Sequence, residues 1–110
     1  MKRLEEVFAL IDAKPQAKTC DAIVGIVKEG ESIMEDYKDS PALDAALLAV
    51  AQAVEHYEIS RYGTLKCWAG ELGIGGAGKL LDATLQEEKK TDAALSDLAI
   101  PVINMQAEAA

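Results

Sequence analysis

The stretch that decides the fold is residues 41–76, "PALDAALLAVAQAVEHYEISRYGTLKCWAGELGIGG". Ser40 before it is a good helix cap, and Pro41 suits the first helical position, where a missing N–H costs nothing. No further proline interrupts the run and Ala and Leu dominate it, so the spacing predicts one unbroken helix over 41–72, roughly 45–50 Å long at 1.5 Å per residue. Gly73-Ile74-Gly75-Gly76 ends it, with Gly73 as the residue just beyond the cap. Inside this apolar helix sits Glu55-His56-Tyr57-Glu58, which holds the only histidine of the chain. Two orientations are open. In one, the stripe Asp44, Leu48, Ala51, Glu55, Glu58, Tyr62, Leu65, Ala69, Leu72 faces the core, and two carboxylates point inward one turn apart. In the other, Leu47, Val50, Val54, Tyr57, Thr64 and Trp68 form the core face, and the glutamates rotate to a wet rim where Glu58 pairs with Arg61 or Tyr62. Spacing alone favours neither. His56 stands about 100° around the helix from Glu55, which places it on the rim or behind a ligand rather than as one.

On the far side of the glycines, a second long helix is predicted over 77–99, stopped by Pro101, with residues 101–110 as a frayed tail after a helical domain of residues 1–100. Its inward line is Leu81, Leu85, Glu88, Asp92, Leu95. A tight glycine turn makes the two long helices antiparallel neighbours. Glu58 lies about 15 residues before Gly73 and Glu88 about 12 after Gly76, so the two carboxylates fall within roughly one turn in height. Upstream, "KRLEEVFALIDA" puts Leu4, Val7, Phe8 and Ile11 on one helical face but lacks a start signal, as the end of a longer helix would. After a loop at Pro15, Thr19 is the expected cap of a short helix carrying Cys20, Ile23, Val27, Met34 and Tyr37 on one side. Gly25 and Gly30 weaken that helix by about 1 kcal/mol each relative to Ala, or admit a close backbone approach.

Composition agrees with an all-α chain. Half of the 110 residues are hydrophobic but only 5% are aromatic, which suits close-packed helices rather than a β-sandwich. The net charge of −8 opposes binding to phosphate backbones. No apolar run reaches the roughly 18 residues of a membrane span, and no signal peptide opens the sequence, so the expected location is the cytoplasm. Cys20 and Cys67 stand far apart, outside any zinc-knuckle pattern, and are expected as free buried thiols. One histidine with no partnered Ser or Cys gives no nucleophile constellation, so hydrolase chemistry is disfavoured. Gly73-x-Gly75-x-x-Gly78 matches the dinucleotide fingerprint by letter, yet it joins two helices where the fingerprint requires a strand before it. No cofactor is expected there.

An inward carboxylate costs several kcal/mol unless it is paired or bound to metal, and several at one level are self-defeating without a cation. The segments "KRLEEVF", "KTCDAIVGIVKEGESIME", "DAALLAVAQAVEHYEISRYGTLKCWAGELG" and "LLDATLQEEKKTDAALSDLA" resemble the ferritin-like YciE/YciF family of bacterial stress-response proteins. The resemblance implies a ferritin-like helical bundle, a di-iron or di-manganese site, a cytoplasmic location and homodimerisation. It also implies that a first helix and most of the second are absent here, leaving a partial bundle: two long antiparallel helices, a short helix and an N-terminal stump, completed by dimerisation through the long helices. Bundles of this kind draw one Glu from each of two helices and a Glu-x-x-His pair from each of two others. Glu55-x-x-Glu58 has that spacing, with Glu in the His place, and Asp92 follows Glu88 by one turn. By that match the metal ligands are Glu55, Glu58, Glu88 and Asp92, an all-carboxylate set suited to Fe or Mn rather than Zn or Cu. The alternative is a non-catalytic helical interaction module without metal.

Overall fold

The apolar run beyond Ser40 becomes the spine of the molecule. In the computed structural model, which describes residues 1–110, it forms α3, Leu43–Glu71, flanked by α1, Lys2–Leu10, α2, Asp21–Asp36, and α4, Gly75–Leu98. A π turn, Ala99–Ile103, and a final short helix, α5, Asn104–Ala107, close the chain. There is no strand, and the expected all-α, partial-bundle architecture holds. α3 and α4 form an antiparallel hairpin, α1 lies against α4, α2 lies against the first half of α3, and the last helical turns return to α3. The result is elongated, 53 × 28 × 20 Å.

The hairpin turn follows from Gly73. Its φ of 70° is the left-handed conformation that a Cβ would disfavour. That conformation turns the Ile74 N–H onto the Ala69 carbonyl (2.8 Å) and the Gly73 N–H onto the Gly70 carbonyl (3.1 Å). These are the paired bonds of a Schellman motif, which satisfy the last carbonyls of α3. The small residues around the turn let the helices close on each other: Ala69, Ala77 and Leu81 form the core cluster, with Leu4, Val7, Tyr62 and Ile74 packed on it.

Several boundaries and faces differ from the sequence expectation. Ser40 does not cap α3: its hydroxyl accepts the Ala42 N–H at 3.1 Å within a turn made by Pro41 and Ala42, and α3 begins at Leu43 with Ala42 as its N-cap. Cys20, not Thr19, is the N-cap of α2. α2 meets α3 through Ile23, Ile26, Gly30 and Ile33, whereas Val27, Met34 and Tyr37 are exposed. The cause is Gly30, whose missing side chain lets the backbone approach Val50; a Cβ there would stand 3.2 Å from Val50 Cγ1. Ile11 is exposed at the end of α1. α4 ends at Leu98, within a residue of the expected stop, but a π turn, Ala99–Ile103, carries the helical path across Pro101 into α5.

Candidate metal centre

Glu55 and Glu58 stand three apart on α3 and Glu88 faces them from α4. One carboxylate oxygen from each lies within 4.8 Å of the others, and all three residues are half-buried. The Schellman turn sets this level, since it fixes the register of the two helices. Lys66 on Asp82 (2.8 Å) and Gln52 on Ser96 (2.8 Å) tie the same register below and above the carboxylates. Of the two orientations open to α3, the first applies to the glutamates: they face α4, and no ion pair joins Glu58 to Arg61, whose guanidinium lies 5.1 Å over the Tyr57 ring instead. The second stripe is used as well, because α2 covers Val50 and Tyr57.

The electrostatics are those of carboxylates too close to ionise together. Burial raises the Glu58 carboxyl above its ordinary range, and hydrogen bonding to Glu88 and the charge of Glu88 raise it further. Glu88 is raised first by its hydrogen bond with Glu55 and then by burial. Glu55 Oε2 is buried without a hydrogen-bond partner. Tyr62, one turn beyond Glu58, has its phenol raised by burial and then by the charges of Glu58 and Glu88. With Arg3, Leu80, Thr84, Glu87 and Glu88 it lines a cleft of about 690 Å³ that reaches the cluster.

The fourth candidate ligand lies apart. Asp92 is not among the three clustered carboxylates; its Oδ1 stands 2.8 Å from His56 Nε2. The contact is close but lacks the alignment of a hydrogen bond, so Oδ1 remains an unsatisfied buried atom. His56 is on the rim, with its side chain 65% exposed. Sequence reasoning missed Arg3, which fastens α1 to α4 by a bidentate pair with Glu87 (2.7 and 2.8 Å) and a bond to Thr84 (3.3 Å). No local signal links positions more than 80 residues apart. The two cysteines are free, and Cys67 is exposed rather than buried. The glycine motif has no strand before it: Gly75 begins α4, and a Cβ at Gly78 would only reach ordinary contact with Ala69.

Residues 1–108 match the family described as "Domain of unknown function (DUF892)". Protein YciF of Escherichia coli K12 is 42% identical over 96% of this chain and 66% of its own length. The crystal structure of the E. coli stress protein YciF superposes with a TM-score of 0.85 at 43% identity, covering 94% of this chain and 65% of that one. YcfI from Rhodopseudomonas palustris gives 0.81 at 45% identity over 86% and 60%. The chain therefore spans slightly less than two thirds of the relatives it matches. On sequence and fold together, it belongs to the DUF892 family of YciF-like helical-bundle proteins.

Proposed function

We propose that this chain is a stress-response protein of the YciF type whose carboxylate cluster binds a hard divalent cation, Fe(II) or Mn(II). The observation that carries the reading is the trio Glu55, Glu58 and Glu88 within 4.8 Å, with Glu55 Oε2 buried and unpartnered. The donor set fits such an ion: three carboxylates offer hard oxygens, and a cation relieves the repulsion that raises Glu58 and Glu88. Glu55, Glu58 and Glu88 would hold the ion, and Asp92, with its buried Oδ1 unsatisfied, is the remaining candidate for a second one in the di-iron or di-manganese arrangement. When bound, the metal supplies Lewis acidity and one-electron redox chemistry. The chain itself binds through Glu55, gives up the proton retained by Glu58 and Glu88, and walls the cluster on one side with Tyr62. Cytoplasmic location and a homodimer belong to the same reading.

A second reading, a metal-free helical interaction module, is favoured by the thin core: Leu81 and Leu85 are the only large side chains that are buried. Metal content separates the two. Protein loaded anaerobically with Fe(II) or Mn(II) and desalted should retain metal in proportion to chains and melt higher. The double variant Glu55→Ala/Glu88→Ala should retain none, while Glu35→Ala on α2 should behave as the parent. Equal retention by the parent and the double variant would leave the interaction module.

A further inference from the structure

α1 is held at its two ends by different means. At one end Leu10 rests on Gly76, with Cδ1 3.2 Å from where a Cβ on that glycine would stand. At the other end Arg3 reaches across to α4, pairing with both oxygens of Glu87 (2.7 and 2.8 Å) and donating to Thr84 (3.3 Å). Between these ends Leu4 and Val7 pack on the core cluster, yet no residue of α1 is buried. Residues 13–20, which follow it, form neither helix nor strand. α1 is therefore the least embedded of the packed helices at the end that carries Arg3.

That end lies beside the carboxylates. Arg3, Glu6, Tyr62, Thr84, Glu87 and Glu88 line one cleft of about 690 Å³ between α1 and the hairpin. Glu88 belongs both to the wall of this cleft and to the trio with Glu55 and Glu58, so the cleft joins the trio to solvent. On the opposite flank of α3, α2 screens Val50 and Tyr57.

We propose that α1 is a strap across this cleft, latched by the Arg3–Glu87 pair, and that the latch sets the rate at which a divalent cation enters and leaves Glu55, Glu58 and Glu88. The inference rests on the cation reading above and adds its regulation. The latch is built to open. Both partners are exposed, at 41% and 61%, and an exposed ion pair biases an equilibrium by only about 2–5-fold. Leu10 on Gly76 is the pivot, roughly 10 Å from Arg3 along the helix, so a small rotation there moves the latched end most.

The test uses two substitutions that break the same pair with opposite changes of charge, Arg3→Met and Glu87→Gln. Chains loaded with Mn(II) are mixed with excess metallochromic chelator, release is followed by stopped flow, and Kd is measured separately by titration. A latch predicts release about 2–5-fold faster in both variants with Kd unchanged, because entry quickens by the same factor. Lys38→Met, which breaks the exposed Lys38–Glu35 pair on α2, should release as the parent does. If Arg3 and Glu87 act only through their charge on the ion, the two variants move in opposite senses: Arg3→Met holds Mn(II) longer and Glu87→Gln loses it sooner. That result overturns the strap. Release no faster in either variant, or faster only by as much as Kd rises, overturns it too, and in each case the cation site stands. A parent that retains no Mn(II) overturns the cation reading and the strap together.

Discussion

Replacing Glu58 by Gln should stabilise the metal-free protein and cripple the metal-bound one. The substitution keeps size and removes one charge from a group of carboxylates no more than 4.8 Å apart. At that separation a pair of unit charges repels by about 0.9 kcal/mol in bulk water and about 3.5 kcal/mol at an effective dielectric of 20. Glu58 and Glu88 are only partly buried, so solvent screening holds the value toward the lower figure, and a gain of about 1 kcal/mol at pH 7 is expected. The gain depends on pH in a defined sense. Burial and Glu88 hold the Glu58 carboxyl above its ordinary range, so the folded metal-free chain keeps a proton that the unfolded chain has lost. The parent's stability is full below the ordinary Glu value of about 4.3 and declines as pH rises toward neutrality. Glu58→Gln should therefore match the parent near pH 4 and exceed it at pH 7. With Mn(II) the order reverses, because the parent gains about 2.7 kcal/mol at a hundredfold excess over Kd and the variant forgoes most of it. Urea unfolding at pH 4 and pH 7, with chelator and with Mn(II), reads all four values. A metal-free variant less stable than the parent at pH 7 would refute the reasoning, since Glu58 would then have been a satisfied carboxylate.

Three other outcomes are expected. Gly73→Ala should cost about 1–2 kcal/mol in urea unfolding, because its φ of 70° is left-handed and the Schellman bonds depend on it. Leu81→Ala should cost about 2–5 kcal/mol, since Leu81 is 4% exposed and belongs to the core cluster; a loss under 1 kcal/mol would mean that the thin core collapses around the hole. NAD or ATP should leave the melting temperature unchanged, and a saturable rise would restore a nucleotide role to the glycine turn.

What was legible in the sequence follows its local signals. Gly73 announces the end of α3 through backbone chemistry carried by the residue itself, Ser40-Pro41 marks the start only to within a few residues, and the register of the α3–α4 hairpin follows from counting out of the glycine turn. The gathering of Glu55, Glu58 and Glu88 was thus foreseeable. Their orientation was not, because α3 is apolar around much of its circumference and both of its stripes are used, one by α4 and the other by α2. The face of α2 was misread for a related reason. Gly30 makes the close backbone approach that it was expected to admit, onto Val50, but a glycine carries no hydrophobic signal to show which flank of the helix turns inward with it. Arg3–Glu87 and His56–Asp92 join different helices, and spacing within one helix cannot see them. Pro101 marked the end of α4 to within a residue, but not the π turn and short helix that continue past it.

The central claim is that the clustered carboxylates bind a cation at the expense of a proton. Anaerobic calorimetric titration with Fe(II), in two buffers of different ionisation enthalpy, measures ion stoichiometry and proton count together. The account predicts saturable binding in proportion to chains, with net proton release that grows as pH is lowered from neutrality, both lost in Glu55→Ala/Glu88→Ala. Absence of saturable heat, or binding that survives that double substitution, would contradict it.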